Sequence, residues 1–130
     1  MTINNIHLLK EVFAKFPEVK LIYFFGSQAD GSAGPLSDYD FAVYLEPFDK
    51  KKLLEIKGGL LTGIAKILKT DNLDLVILNL AKSPELKYSI ISKGKLIYEK
   101  KPLKIMVEPK ILSEYFDFKL GLGRYGLTAA

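Results

Sequence analysis

Residues 21–45 read LIYFFGSQADGSAGPLSDYDFAVYL, two apolar runs that are joined by a loop rich in Gly and Ser. The first run, from Leu21 to Phe25, is continuous and largely aromatic, which is typical of a strand buried on both faces. It stops abruptly at Gly26 and Ser27. Gly26 permits a sharp turn or a close approach of the backbone to a ligand, and Ser27 can cap a short helix that begins there.

The second run predicts another strand, and two acidic residues lie near its start. Side chains alternate along a strand, so Asp38 and Asp40 point to the same face. Two carboxylates a few ångströms apart repel each other, and a divalent cation removes this repulsion. Mg²⁺ often binds one or two carboxylates together with substrate phosphates. The turn at Gly26 and Ser27 can hold a phosphate, so this unit predicts a site for a metal and a nucleotide.

The motif formed by these residues resembles that of a known superfamily. Gly26-Ser27, ten intervening residues and then Asp38-Tyr39-Asp40 resemble the signature of the polymerase β-like nucleotidyltransferases. The compact spacer and the short chain are most similar to the minimal nucleotidyltransferase (MNT) group. Each half of the motif is a weak signal, but the two together, each at the edge of its own predicted strand, are fairly specific.

The remaining sequence alternates between helical and strand patterns. Apolar residues at helical spacing predict amphipathic helices, and short apolar runs bounded by turn residues predict strands. The resulting order predicts an α/β (α+β) fold, a mixed sheet of about four strands flanked by helices, and the resemblance implies the polymerase β-like nucleotidyltransferase fold. The predicted helices cover residues 3–16, 50–69 and 83–92, and the predicted strands cover residues 19–25, 37–45, 72–78 and 95–99.

The length of 130 residues predicts one domain. We assign residues 1–100 to the minimal nucleotidyltransferase domain and residues 101–130 to a C-terminal extension. Within this extension, residues 113–120 predict a short capped helix that docks on the core or on a partner. An exposed edge strand and the aromatic residues of the extension are compatible with a homo-oligomer.

A third carboxylate lies in the apolar run at residues 72–78. A buried and unpaired Asp is costly, so Asp74 either has a polar partner or points at a metal; the alternative is an Asp at the exposed start of a strand. In the resemblance, a third carboxylate arrives on this strand and completes the site, and Asp74 is the acid that fits. Asp71 would face the other side of a regular strand.

The composition favours a globular protein in the cytoplasm. Hydrophobic residues make up 48% and charged residues 26%, and no run is long enough for a transmembrane helix, so we expect no membrane partner. The absence of cysteine excludes disulfides and cysteine-based zinc sites. The net charge of +4 comes almost entirely from Lys, with Arg124 the only Arg. Base readout prefers Arg, so nucleic acid is not expected as a direct substrate.

The resemblance implies a Mg²⁺-dependent nucleotidyl transfer with ATP as the substrate. Gly26 and Ser27 would hold the β- and γ-phosphates, and Asp38 and Asp40 would bind two Mg²⁺ ions. Asp74 would ligate the metal on the acceptor side. MNT proteins often carry a basic residue close to the position of Asp30, and the acid at this position weakens the expectation that this loop binds phosphate.

The resemblance also implies an acceptor. MNT proteins of this kind are antitoxins in two-gene toxin–antitoxin modules, and they transfer AMP to a tyrosine hydroxyl of a HEPN-domain ribonuclease toxin. Two alternatives remain open at this point. One is nucleotidyl transfer to a small molecule such as an aminoglycoside, and the other is an antitoxin that binds the HEPN protein without catalysis.

Overall fold

Helices and strands alternate along the chain in the computed structural model, which describes residues 1–34 and 37–124. The helices are α1 (Ile3–Ala14), α2 (Ser27–Asp30), α3 (Leu53–Leu68), α4 (Pro84–Lys93) and α5 (Leu103–Arg124). The strands are β1 (Val19–Phe25), β2 (Tyr39–Leu45), β3 (Leu73–Ile77) and β4 (Lys95–Glu99). No helix in the described ranges is long and apolar enough to cross a membrane.

The strands form one mixed sheet in the order β3-β2-β1-β4. β1 is antiparallel to both β2 and β4, whereas β2 and β3 are parallel. Parallel neighbours require a crossover connection, and α3 provides it between β2 and β3. The mixed sheet with flanking helices confirms the predicted fold class.

Two hydrophobic clusters lie on opposite faces of the sheet. Ile22 and Phe24 of β1 pack in the cluster that contains residues of α1 and α3. Leu21 and Tyr23, which alternate with them, pack in the cluster that contains residues of α4 and α5. Both faces of β1 are therefore buried, which explains why its sequence is a continuous apolar run instead of an alternating one.

The C-terminal helix differs from the prediction. α5 begins at Leu103 and continues through Pro109, so the short helix predicted at residues 113–120 is only its second half. Val107 and Ile111 are buried beside Leu21 and Tyr23 of the central strand. Packing of this kind outweighs the low helix propensity of an internal proline.

A side-chain hydrogen bond adds to this attachment. The Tyr23 hydroxyl on β1 donates to the Glu108 carboxylate on α5, with 2.5 Å between the oxygens. Residues on both sides of the proposed boundary at residue 100 therefore share one core.

Two substitutions on α5 test whether its first half is part of the core. We expect Ile111→Ala to lower the free energy of unfolding by about 2–5 kcal/mol, because it leaves a cavity beneath the helix. Phe116→Ala is the matched control, since Phe116 is 56% exposed whereas Ile111 is 6% exposed, and we expect a change within about 0.5 kcal/mol. Urea denaturation followed by circular dichroism measures both, and equal losses would contradict the packing described.

Candidate active site

The predicted site residues lie at one end of the sheet, where β1 ends and β2 and β3 begin. Phe25, the last residue of β1, pairs with Asp40 of β2. Asp40 in turn pairs with Asp74 of β3. Parallel strands start at the same edge of a sheet, and an antiparallel neighbour ends there, so this register brings the three strand ends together.

The carboxylates of Asp40 and Asp74 lie on the sheet face that α4 and α5 cover. Ala42 and Val76, two residues further along each strand, pack in the cluster that contains Ile90 of α4. Side chains two residues apart share a face, so Asp40 and Asp74 are on this side as well.

Both strands start slightly later than predicted, and two of the three carboxylates are exposed. The Tyr39 amide donates to the Asn72 carbonyl over 2.9 Å where β2 and β3 begin to run together. Asp38 therefore precedes β2 and is exposed. Asp74 is also exposed, in agreement with the alternative of an Asp at the open start of a strand.

Asp40 is the half-buried member of the group. Burial, followed by the negative charges of Asp74 and Asp38, raises the pKa of Asp40 above its ordinary value. None of the ion pairs between described residues involves these three carboxylates. Among the side chains that the structure describes, no Lys or Arg lies within ion-pair distance to compensate their negative charges.

The donor set fits a hard divalent cation such as Mg²⁺. Carboxylate oxygens are its preferred protein ligands. A cation would stabilise the ionised form of Asp40, whose pKa is raised first by burial and then by the charges of Asp74 and Asp38. In residues 1–34 and 37–124, no three acidic or histidine side chains form a complete metal-binding cluster. Mg²⁺ usually takes its remaining ligands from water and substrate phosphates, so a partial protein ligand set agrees with its chemistry.

The turn after β1 depends on glycine for two reasons. Gly26 has φ 80° and ψ −167°, a conformation that residues with a side chain rarely adopt. A Cβ atom at this position would also overlap the carboxylate of Asp40. The close approach that the sequence suggested is therefore between the Gly26 backbone and the Asp40 side chain.

Gly26 also occupies the cap position that was predicted for Ser27. The Gly26 carbonyl accepts hydrogen bonds from the amides of Ala29 and Asp30, each over 3.1 Å. Ser27 is the first residue of α2. The Ser27 hydroxyl takes part in none of the side-chain hydrogen bonds found between described residues, which leaves it able to donate to a ligand.

The loop that follows α2 carries Asp30, and its surroundings could not be predicted from the sequence. The Ser32 hydroxyl and amide both donate to the Asp30 carboxylate, over 2.6 Å and 2.9 Å. These hydrogen bonds, together with a weaker effect of the positive charge of Lys93, lower the pKa of Asp30. Lys93 is a residue that sequence analysis missed, because no local pattern brings the end of α4 to α2.

A second contact positions this loop. The Gln28 side-chain amide donates to the Ser37 carbonyl over 3.2 Å. Ser37 directly precedes Asp38, so this hydrogen bond ties α2 to the chain that enters the carboxylate cluster.

Comparisons with known proteins agree with the motif. Residues 7–103 match the family model described as polymerase beta, nucleotidyltransferase. The protein adenylyltransferase MntA of Aphanizomenon flos-aquae is 33% identical over 97 residues, which are 68% of this chain. The match spans 62% of the length of that relative.

Two solved structures are similar over nearly the whole chain. The crystal structure of a toxin–antitoxin with AMP-PNP has a TM-score of 0.71 and 26% sequence identity, and the match covers 96% of this chain and 95% of that chain. The structure of a tri-AMPylated Shewanella oneidensis HEPN toxin in complex with an MNT antitoxin has a TM-score of 0.71 and 23% identity, with the same coverage. At that identity, the second match concerns the fold alone.

Alanine substitutions at two glycines test the close contact at Asp40. Gly31 has φ 81° with open space around a built Cβ, so Gly31→Ala adds backbone strain alone, about 1–2 kcal/mol. Gly26→Ala adds strain and also displaces the Asp40 carboxylate. We expect a clearly larger loss of unfolding free energy for Gly26→Ala in urea denaturation, and equal losses would contradict the contact.

Proposed function

Because the chain belongs to the polymerase beta nucleotidyltransferase family, we propose that it is a Mg²⁺-dependent enzyme that transfers AMP from ATP to a protein. The proposed acceptor is a tyrosine hydroxyl of a cognate HEPN ribonuclease toxin, so that the chain acts as an antitoxin. One observation carries this proposal: the half-buried Asp40 contacts the Gly26 turn and lies within electrostatic range of Asp38 and Asp74.

Each part of the candidate site has a role in the proposed reaction. Gly26 and Ser27 donate hydrogen bonds to the β- and γ-phosphates of ATP through the backbone and the Ser27 hydroxyl. Asp38 and Asp40 would hold two Mg²⁺ ions, with Asp74 as the ligand on the acceptor side. When bound, such ions neutralise charge on the phosphates and on the attacking and leaving oxygens of an in-line displacement.

The bonds and protons of the proposed transfer balance without a further reactant. The tyrosine oxygen attacks the α-phosphorus of ATP, and the bond from that phosphorus to the bridging oxygen of the β-phosphate breaks. Pyrophosphate leaves, and AMP remains esterified to the tyrosine. Asp74 is exposed, so it can accept the proton of the tyrosine hydroxyl when the acceptor protein approaches from the solvent side. The protein mainly positions the reactants and places charge where it develops.

The relatives favour a protein acceptor over a small molecule. The curated relative is named a protein adenylyltransferase, and the first of the two structural relatives is a toxin–antitoxin with the ATP analogue AMP-PNP. Both are statements about those proteins, and they support the assignment of ATP and a toxin to this chain. The HEPN class of the toxin and the tyrosine hydroxyl follow from the sequence resemblance to the MNT group.

The reaction can be tested by intact-mass measurement of a HEPN protein encoded beside this chain. We expect mass steps of one AMP after incubation with this protein, ATP and Mg²⁺. Asp40→Asn should lower the rate by about 100-fold or more, which is typical for losing a group that stabilises transition-state charge. Asp71→Asn is the matched control, because Asp71 is exposed and precedes β3, and it should transfer AMP at the rate of the unmodified protein.

The same reagents distinguish the alternative functions. If the double variant Asp38→Asn, Asp40→Asn still neutralises the toxin in cells as well as the unmodified protein does, the chain is a binding antitoxin and the enzymatic proposal is wrong. If the HEPN protein binds this chain but gains no mass, the proposed acceptor is wrong. The chain then either transfers AMP to a small molecule or acts by binding alone.

A further inference from the structure

The end of α4 lies against the end of β1, beside the candidate phosphate-binding turn. Gly94 follows α4, and its amide donates to the Ile90 carbonyl over 2.9 Å. A Cβ built at Gly94 would lie 3.3 Å from the Cβ of Phe25. Phe25 precedes Gly26 directly, so the connection from α4 to β4 is in contact with the strand end that carries the turn.

Lys93, the last residue of α4, places a positive charge beside α2. Its side chain is exposed, and the ion pairs found between described residues do not include it. Its charge acts on Asp30 at the other end of α2 from Ser27. α2 has four residues and is therefore about 6 Å long. A flexible Lys side chain that is near Asp30 can therefore also approach a ligand at Ser27.

The candidate site carries an excess of negative charge. Asp38, Asp40, Asp74 and Asp30 are all acidic, and an ATP polyphosphate adds further negative charge to the same end of the sheet. A Lys ammonium is a compact point charge with three donors, which suits the oxygens of a phosphate chain.

We propose that Lys93 is a nucleotide-binding residue whose ammonium binds the β- or γ-phosphate oxygens of ATP at the Gly26–Ser27 turn. The inference rests on the proposed nucleotidyl transfer and adds a residue to it. Without nucleotide, Asp30 attracts Lys93 towards α2. This attraction is weak, and the described residues show no ion pair between Lys93 and Asp30. When ATP binds, the ammonium turns to the phosphates, and the charge of Asp30 opposes this movement.

Lys95 provides a matched control for Lys93. It pairs with Phe24, which packs in the cluster formed with α1 and α3, so Lys95 lies on the sheet face opposite the carboxylates. Both lysines are exposed, and replacing either by Gln lowers the net charge by the same amount. A difference between the two variants therefore reflects the position of the lost charge and not the change in net charge.

Calorimetric titration with AMP-PNP and Mg²⁺, combined with the kinetics of AMP transfer, tests the proposal. We expect Lys93→Gln to raise the Kd for AMP-PNP and the KM for ATP by about 10-fold, the effect of losing one hydrogen bond to a charged group, with kcat nearly unchanged. Lys95→Gln should leave both constants unchanged. AMP lacks the β- and γ-phosphates, so its Kd should be the same for both variants.

Asp30→Asn adds an independent measurement. As a single substitution, Asp30→Asn should lower the Kd for AMP-PNP, because it removes the competing carboxylate. Combined with Lys93→Gln, it should leave the Kd of the Lys93→Gln variant unchanged. Additive effects of the two substitutions would contradict the competition.

The outcomes separate this inference from the function on which it rests. If the unmodified protein binds AMP-PNP and transfers AMP, but Lys93→Gln behaves like Lys95→Gln, the role of Lys93 is wrong and the nucleotidyltransferase proposal stands. If the unmodified protein neither binds AMP-PNP nor transfers AMP, both are wrong. Thermal unfolding of each variant shows whether an altered Kd reflects a change in the site or a loss of folded protein.

Discussion

The end of the sheet that carries the candidate site depends on the close approach of the half-buried Asp40 carboxylate to the Gly26 backbone. The parallel pairing of β2 and β3 puts Asp74 directly beside Asp40, and burial together with the charges of Asp74 and Asp38 raises the pKa of Asp40. Such an arrangement opposes folding, and it persists because the rest of β1 and β2 is buried among apolar residues on both faces. The hydrophobic core therefore offsets the cost of keeping these carboxylates together, at the place where the proposed cation and nucleotide would bind.

The two faces of the sheet differ in their residues. The face towards α1 and α3 is an uninterrupted hydrophobic layer that includes Phe13, Leu60 and Ile64. The opposite face combines a smaller hydrophobic cluster with the carboxylates at one end of the strands. α5 completes that smaller cluster through Val107 and Ile111, so this helix also supports the strands that carry the site.

Local sequence patterns predicted the central unit, but not the contacts between distant segments. Residues 21–45 contain their own evidence, because two apolar runs and a glycine between them predict two strands and the turn after the first. The shared face predicted for Asp38 and Asp40 does not follow from strand alternation, since Asp38 precedes β2. The pairing of Asp40 with Asp74 and the approach of Lys93 to Asp30 depend on how α3 and α4 cross the sheet, and no local pattern encodes this. The start of α5 was missed because Pro109 argues locally against a continuous helix, while packing against β1 allows it.

The position of Asp74 on an edge strand has a consequence for the order of events in the proposed reaction. In the described part of the chain, β3 has a paired neighbour only in β2, so Asp74 borders solvent on its other side. The Gly26 turn lies on the opposite flank of Asp40, next to α2 and α4. A nucleotide and an acceptor can therefore approach Asp40 from different directions and occupy the protein at the same time. Simultaneous access from two sides is what direct transfer within one ternary complex, as in the proposed reaction, requires.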